Sequence, residues 1–137
     1  MRYIILLLTL LVMPAIAAND YLVINSLHRE SLAKHTYISD LEQYGVSETW
    51  TPSLTGDCED YALYMQKALQ DRGYTSNIWI VRTEQDELHA VLVVTIFNFE
   101  FVIDNRHGSL KPRSLLHYKW IAAVAYYNDR NRSNLAI

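Results

Sequence analysis

The chain has 137 residues, half of them hydrophobic, which is enough material for one core and one domain. Its 12 Lys and Arg stand against 15 Asp and Glu, a formal charge of -3, so no basic stripe exists to grip a phosphate backbone and nucleic acid is disfavoured as a partner. One cysteine excludes an internal disulfide, and stability must come from packing.

Met1-Arg2 is followed by an apolar stretch to Met13 and then Pro14-Ala15-Ile16-Ala17-Ala18. A positive start, a short apolar core and an A-x-A ending predict a secretory signal peptide over 1–17, with 18–137 as the mature domain. The run falls short of the ~20 residues that cross a bilayer comfortably, so no stable membrane span is expected after cleavage; an uncleaved anchor is the alternative. The expected location is periplasmic or secreted. A thiol carried into an oxidising compartment is a hazard, so Cys58 is either buried or chemically employed.

Between residues 20 and 44 the apolar positions Leu22, Ile24, Leu27, Leu32, Tyr37, Ile38 and Leu41 predict one or two short helices with irregular spacing. Residues 45–55, with Pro52 and several hydroxyl side chains, read as a loop. The clearest helix begins next: Asp57 is an N-cap, Asp60 completes a capping-box variant, and Cys58, Tyr61, Ala62, Met65, Ala68 and Leu69 form an apolar face ending at Gly73. Cys58 therefore falls in the first turn, facing inward. Beyond Gly73, residues 78–83, 89–96, 99–104 and 120–127 are rich in branched and aromatic side chains and read as strands, the second and third forming a hairpin. Helices followed by antiparallel strands predict an α+β arrangement with the Cys58 helix packed on the sheet.

A cysteine at a helix N-terminus is favourably placed to become a thiolate, and it then needs a base and a group to orient that base. His89 and Asp104 are the candidates. With Phe97-Asn98 as the turn, Ile96 faces Phe99, and alternation puts His89 and Asp104 on one face of the hairpin as diagonal neighbours. A helix packed on that face would bring Cys58 to His89. Taken singly, each residue also has an ordinary structural reading: a small core cysteine, a strand histidine, and an aspartate ending its strand at a turn.

The blocks Trp50-Thr51-Pro52, Gly56-Asp57-Cys58-Glu59-Asp60-Tyr61-Ala62, Val81-Arg82-Thr83, His89-Ala90-Val91-Leu92 and Val102-Ile103-Asp104-Asn105 together resemble the bacterial transglutaminase-like cysteine proteinase family. The resemblance implies a papain-like, transglutaminase-like core, a Cys58-His89-Asp104 triad and hydrolysis of a peptide bond. It also implies a relation to periplasmic proteases that clip large surface adhesins, and so a protein or peptide substrate at the cell surface.

The chemistry requires no cofactor. Even so, Asp57, Glu59 and Asp60 crowd negative charge around a group that must itself become negative, and a cation would offset this. The resemblance implies calcium, with Asp57, Glu59 and Asp60 as its ligands, and hard oxygen donors suit that ion. Trp50 is a candidate indole donor to the oxyanion, with burial in the core as its alternative; the Cys58 backbone N–H is a second donor. His107 is expected on an exposed turn, Asn105 has a structural reading, and His28, His35 and His117 are assigned no role. Two other functions fit the same fold: transglutaminase-type acyl transfer to an amine, and a non-catalytic module binding a peptide or envelope partner.

Overall fold

The computed structural model describes the backbone of residues 2–15 and all atoms of residues 16–46 and 48–124. Helix α1 (Arg2–Lys34) runs without a break through the anticipated cleavage point at Ala17-Ala18. Among the described residues, no helix is long and apolar enough to cross a membrane. The part of α1 that meets the core does so through Tyr21, Ile24, His28 and Ser31, spaced at successive helical turns. Two polar residues on this buried stripe, together with Leu22 left exposed, are the reason the apolar spacing looks irregular in the sequence.

A short ladder follows. Strand β1 (Thr36–Tyr37) pairs in parallel with β2 (Thr55–Gly56), and between them helix α2 (Asp40–Tyr44) is capped by the Ser39 hydroxyl and closed by Gly45 at φ 69°. This pairing carries the 36–40 segment alongside Gly56-Asp57. Helix α3 (Cys58–Gln70) then starts as expected, with the Asp57 carboxylate accepting from the Asp60 N–H. Its chain reversal uses Gly73 at φ 83°, a backbone region that side chains disfavour.

Five strands, β3 (Ser76–Arg82), β4 (Leu88–Ile96), β5 (Phe99–Ile103), β6 (Lys111–Pro112) and β7 (Lys119–Ala123), make one antiparallel sheet in the order β6-β5-β4-β3-β7. The α+β expectation holds. The expected fourth run forms the β7 edge beside β3, and its continuation beyond residue 124 lies outside the described residues. A bulge at Ile80/Val81 shifts the β3–β7 register. Helix α3 buries Tyr61, Ala62, Met65 and Leu69 against Ala90, Leu92, Val94 and Ile103 on one sheet face. Each such large side chain contributes about 1.5–3 kcal/mol of transfer free energy. The other face carries a smaller cluster of Val81, Val91, Val93, Val102 and Tyr118, flanked by Trp79 and Trp120.

Candidate active site

The β4–β5 hairpin turns at Phe97-Asn98 and pairs Ile96 with Phe99 and Leu92 with Ile103, the register on which the same-face argument depends. Asp104 follows the last paired residue and meets the imidazole directly: His89 Nε2 lies 2.8 Å from Asp104 Oδ1. An ionised carboxylate only accepts, so Nε2 carries the proton, and in the neutral ring Nδ1 is left with the lone pair a base needs. Asp104 is 1% exposed, and burial alone would raise its pKa. Hydrogen bonding and charge from His89, with the Tyr118 hydroxyl and the Arg106 N–H, outweigh that and hold it below the usual carboxylate range.

The route by which Cys58 approaches is not the anticipated one. Helix α3 packs on the face of Ala90 and Leu92, whereas His89 is one residue out of step, in phase with Val91 and Val93, and its ring packs against Tyr118 on the opposite side. The two residues share a cavity at the end of the sheet, where β4 extends past its pairing with β5. That cavity, of about 340 Å³, is lined by Cys58 and His89 together with His35, Tyr37, Leu88 and Asn105.

The thiol of Cys58 is half-buried and donates to Glu59 Oε2 at 3.2 Å. Burial first, and the Glu59 carboxylate next, push its pKa up, while the Ala90 backbone N–H acts in the opposite direction. Glu59 is itself raised to about 8, by burial and then by its hydrogen bond with Asp57 and that group's charge.

Among the described residues, the carboxylates that gather are those of Asp40, Asp57 and Asp60, with one oxygen from each within 4.8 Å of the others. Glu59, expected in this set, lies at its border, hydrogen-bonded to Asp57 on one side and accepting from the Cys58 thiol on the other, and Asp40, which the sequence did not suggest, takes the third place. Asp40 Oδ2 accepts from the Thr49 N–H and Asp60 Oδ1 from the Thr51 N–H, which leaves Asp40 Oδ1 and Asp60 Oδ2 buried without a hydrogen-bond partner. Burial raises Asp60 to about 7, and it also raises Asp40, with the Asp57 charge adding to both. Two buried carboxylate oxygens without a protein hydrogen-bond partner, beside a third acid, fit a hard cation. Gly56 makes room for them, since a Cβ there would lie 2.1 Å from Asp60 Oδ2.

In the same region the Trp50 indole N–H, expected as a donor to the oxyanion, is instead donated to Glu48 Oε1 at 3.0 Å, and the side chain, 2% exposed, packs in the core. His107 is half-buried, with Nε2 3.3 Å from the Tyr118 hydroxyl, where an exposed turn was expected. His35, given no role in the sequence, lines the cavity; its Nδ1–H donates to Leu54 O at 3.0 Å, and Asn105 Nδ2 donates to its Nε2 at 3.4 Å. His28 is fully buried between the Tyr61 hydroxyl and the His107 carbonyl.

Comparison with known proteins gives a family and a fold. Legionella pneumophila LapG superposes with a TM-score of 0.61 at 17% identity, over 81% of this chain and 66% of that one. Its calcium-bound form gives 0.59 at 17%, over 72% and 63%, and its EGTA-treated form 0.60 at 17%, over 80% and 63%. This chain thus spans slightly less than two thirds of LapG's length. No curated protein matches it in sequence. The family described as bacterial transglutaminase-like cysteine proteinase matches residues 14–136, nearly the whole chain, and the protein belongs to that family.

Proposed function

We propose that the protein is an exported cysteine peptidase in which Cys58 is the nucleophile, His89 the base and Asp104 the orienting acid. The observation that carries this reading is the His89 Nε2 to Asp104 Oδ1 contact of 2.8 Å in an imidazole that lines one cavity with Cys58. Export rests on the leader pattern of residues 1–17, and family membership supports a protein substrate. The resemblance points to a surface protein.

In the proposed reaction His89 Nδ1 takes the thiol proton as Cys58 Sγ attacks the amide carbonyl carbon, forming a C–S bond. The oxyanion is met by the Cys58 backbone N–H at the start of α3, where backbone donors are unpaired and the dipole favours negative charge. His89 then passes its proton to the amide nitrogen, the C–N bond breaks and the amine leaves. Water enters, gives a proton to His89 and bonds to the carbonyl carbon; the C–S bond breaks and the proton returns to sulfur. Asp104 remains ionised and keeps the ring oriented throughout. Calcium is the cation proposed for Asp40, Asp57 and Asp60, and when bound it supplies positive charge that offsets the acids beside the thiol.

A non-catalytic binding module is the second reading, favoured by one observation: the thiol donates to Glu59 and is held protonated by its surroundings. A thiol-directed peptide electrophile separates the two. Peptidase chemistry predicts labelling of Cys58 that is lost in His89→Ala and stimulated by calcium. Labelling at the same rate in His89→Ala would overturn the triad. Hydrolysed product is expected; accumulation of amine-coupled product would identify acyl transfer instead.

A further inference from the structure

We propose that Tyr118 is a positioning residue for this active site, its phenol fixing the second carboxylate oxygen of Asp104 and thereby the direction in which the first is presented to His89. The inference rests on the triad reading above. Asp104 Oδ1 accepts from His89 Nε2 at 2.8 Å and from the Arg106 N–H at 2.9 Å. Its Oδ2 accepts from the Tyr118 hydroxyl at 2.6 Å, the shortest of the three contacts. Short bonds of this kind to an ionised acceptor are the stronger class. Anchoring both oxygens sets the rotation of the carboxylate about its Cβ–Cγ bond, so the Oδ1 lone pair stays aimed at the imidazole.

The phenol is well held for this task. Tyr118 is 8% exposed, and its ring packs on the Val81, Val91, Val93 and Val102 face, away from the cavity that holds Cys58. Its one proton goes to Asp104, which leaves its oxygen to accept from His107 Nε2 at 3.3 Å. His107 is pinned in turn, because His28 Nε2 donates to its carbonyl at 2.7 Å. Tyr118 touches the acid and not the reacting atoms. Its effect therefore passes through Asp104 and His89.

The titratable and charged groups facing Asp104 are His89 from β4, Arg106 and His107 from the turn after β5, Tyr118 before β7, His28 from α1 and Tyr61 from α3; Glu84 acts on Tyr118. Tyr118→Phe removes the one hydroxyl among these that donates to Asp104 and keeps the ring. Loss of a donor to the ionised form raises the acid's pKa, so Asp104 takes up its proton at higher pH.

The test is Tyr118→Phe in the full chain, with peptide hydrolysis followed as a function of pH. The expected result is a kcat about ten- to a hundredfold lower with KM within about twofold, and an acid limb of the profile moved to higher pH. Site-specific 3-fluorotyrosine at position 118, a stronger donor that preserves packing, should move the limb to lower pH. A profile of unchanged shape in both variants would overturn the inference, since a purely structural role lowers the amount of folded enzyme without moving its limbs. The carboxyl 13C titration of Asp104 decides the matter independently of activity. An upward shift in Tyr118→Phe supports the anchoring and no shift refutes it, even where the wild-type chain hydrolyses nothing and the peptidase reading itself fails.

Discussion

At the scale of single residues, Gly56 is the glycine with the least space around it. It carries no side chain because the Asp60 carboxylate occupies the volume a methyl group would need, with Asp60 Oδ2 2.1 Å and Asp60 Cβ 2.7 Å from the position of that Cβ. Gly56→Ala is therefore expected to cost about 1–3 kcal/mol, as overpacking does, and to displace Asp60 from Asp40 and Asp57. Thermal unfolding with and without calcium checks both parts: a lower midpoint, and a smaller rise on adding the ion. An alanine variant with wild-type stability and an unchanged calcium response would show that the carboxylate can move aside freely.

The residues of the site differ in how visible they are in the sequence. Cys58 and Asp57 are legible because an N-cap and an apolar helical face lie in consecutive residues, and His89 with Asp104 because a tight hairpin makes their relation a matter of alternation. Asp40 has no such local signal. It reaches Asp57 through the parallel β1–β2 pairing of Thr36 with Thr55, a contact that no turn or periodicity announces. Tyr118 and His35 arrive by the same kind of long-range approach. Sequence alternation also gives the faces of β4 but not how far α3 reaches along it, so it predicts a meeting of Cys58 and His89 on the sheet's face where the structure has them share a cavity at its end.

At the scale of elements, the hairpin turn holds a local conflict. Phe97 and Asn98 lie at φ 46° and 65°, the double positive pattern of a two-residue turn that favours Asn and Gly, yet its first position is a half-exposed phenylalanine. Phe97→Asn is expected to stabilise the chain by about 0.5–1 kcal/mol, read as a higher denaturant midpoint at unchanged slope. A lower midpoint would mean that the ring contributes packing outweighing the backbone strain.

Helix α1 makes a second element-scale prediction. Among the described residues, Tyr21, Ile24, Leu27, His28, Ser31 and Leu32 hold it to the core and follow the anticipated cleavage point, as does the Asp20 carboxylate that accepts from the Tyr74 hydroxyl at 2.9 Å; Ala17, also packed on the core, precedes it. A chain beginning at Ala18 should keep the stability of the full chain within about 0.5 kcal/mol, whereas Ile24→Ala should cost about 2–5 kcal/mol. Chemical denaturation of both proteins checks this, and a Ala18 start as damaging as Ile24→Ala would give residues 1–17 a structural role. The helix was hard to read because its buried stripe includes His28 and Ser31, whose partners lie in distant segments.

At the scale of the whole molecule, two buried acid centres respond to pH with opposite sign. Asp60 and Glu59, raised to about 7 and about 8, and Asp40, also raised, hold protons in the folded chain that the unfolded chain gives up above about pH 4. Stability from this centre is thus present at low pH and is lost as pH rises through those folded values. Asp104 is lowered, so its contribution is present above the ordinary aspartate pKa and is lost only as pH falls through its depressed one. Without divalent cations, the unfolding midpoint should fall between about pH 5 and pH 8, and saturating calcium should flatten that slope by displacing the protons. Equal slopes with calcium and with chelator would remove the cation from Asp40, Asp57 and Asp60.

The placement of the three tryptophans gives these two regions separate optical voices. Trp79 and Trp120 stand edge to face at 5.8 Å with Arg113 over both rings, so separation of β3 from β7 should change their environment. Trp50 gives its indole N–H to Glu48, a carboxylate within the field of Asp40 and Asp57. Fluorescence from a chain retaining Trp50 alone should follow the charge state of the acid cluster, while near-ultraviolet dichroism from a companion chain retaining Trp79 and Trp120 follows unfolding, so ion occupancy and sheet integrity become separable signals in two matched samples.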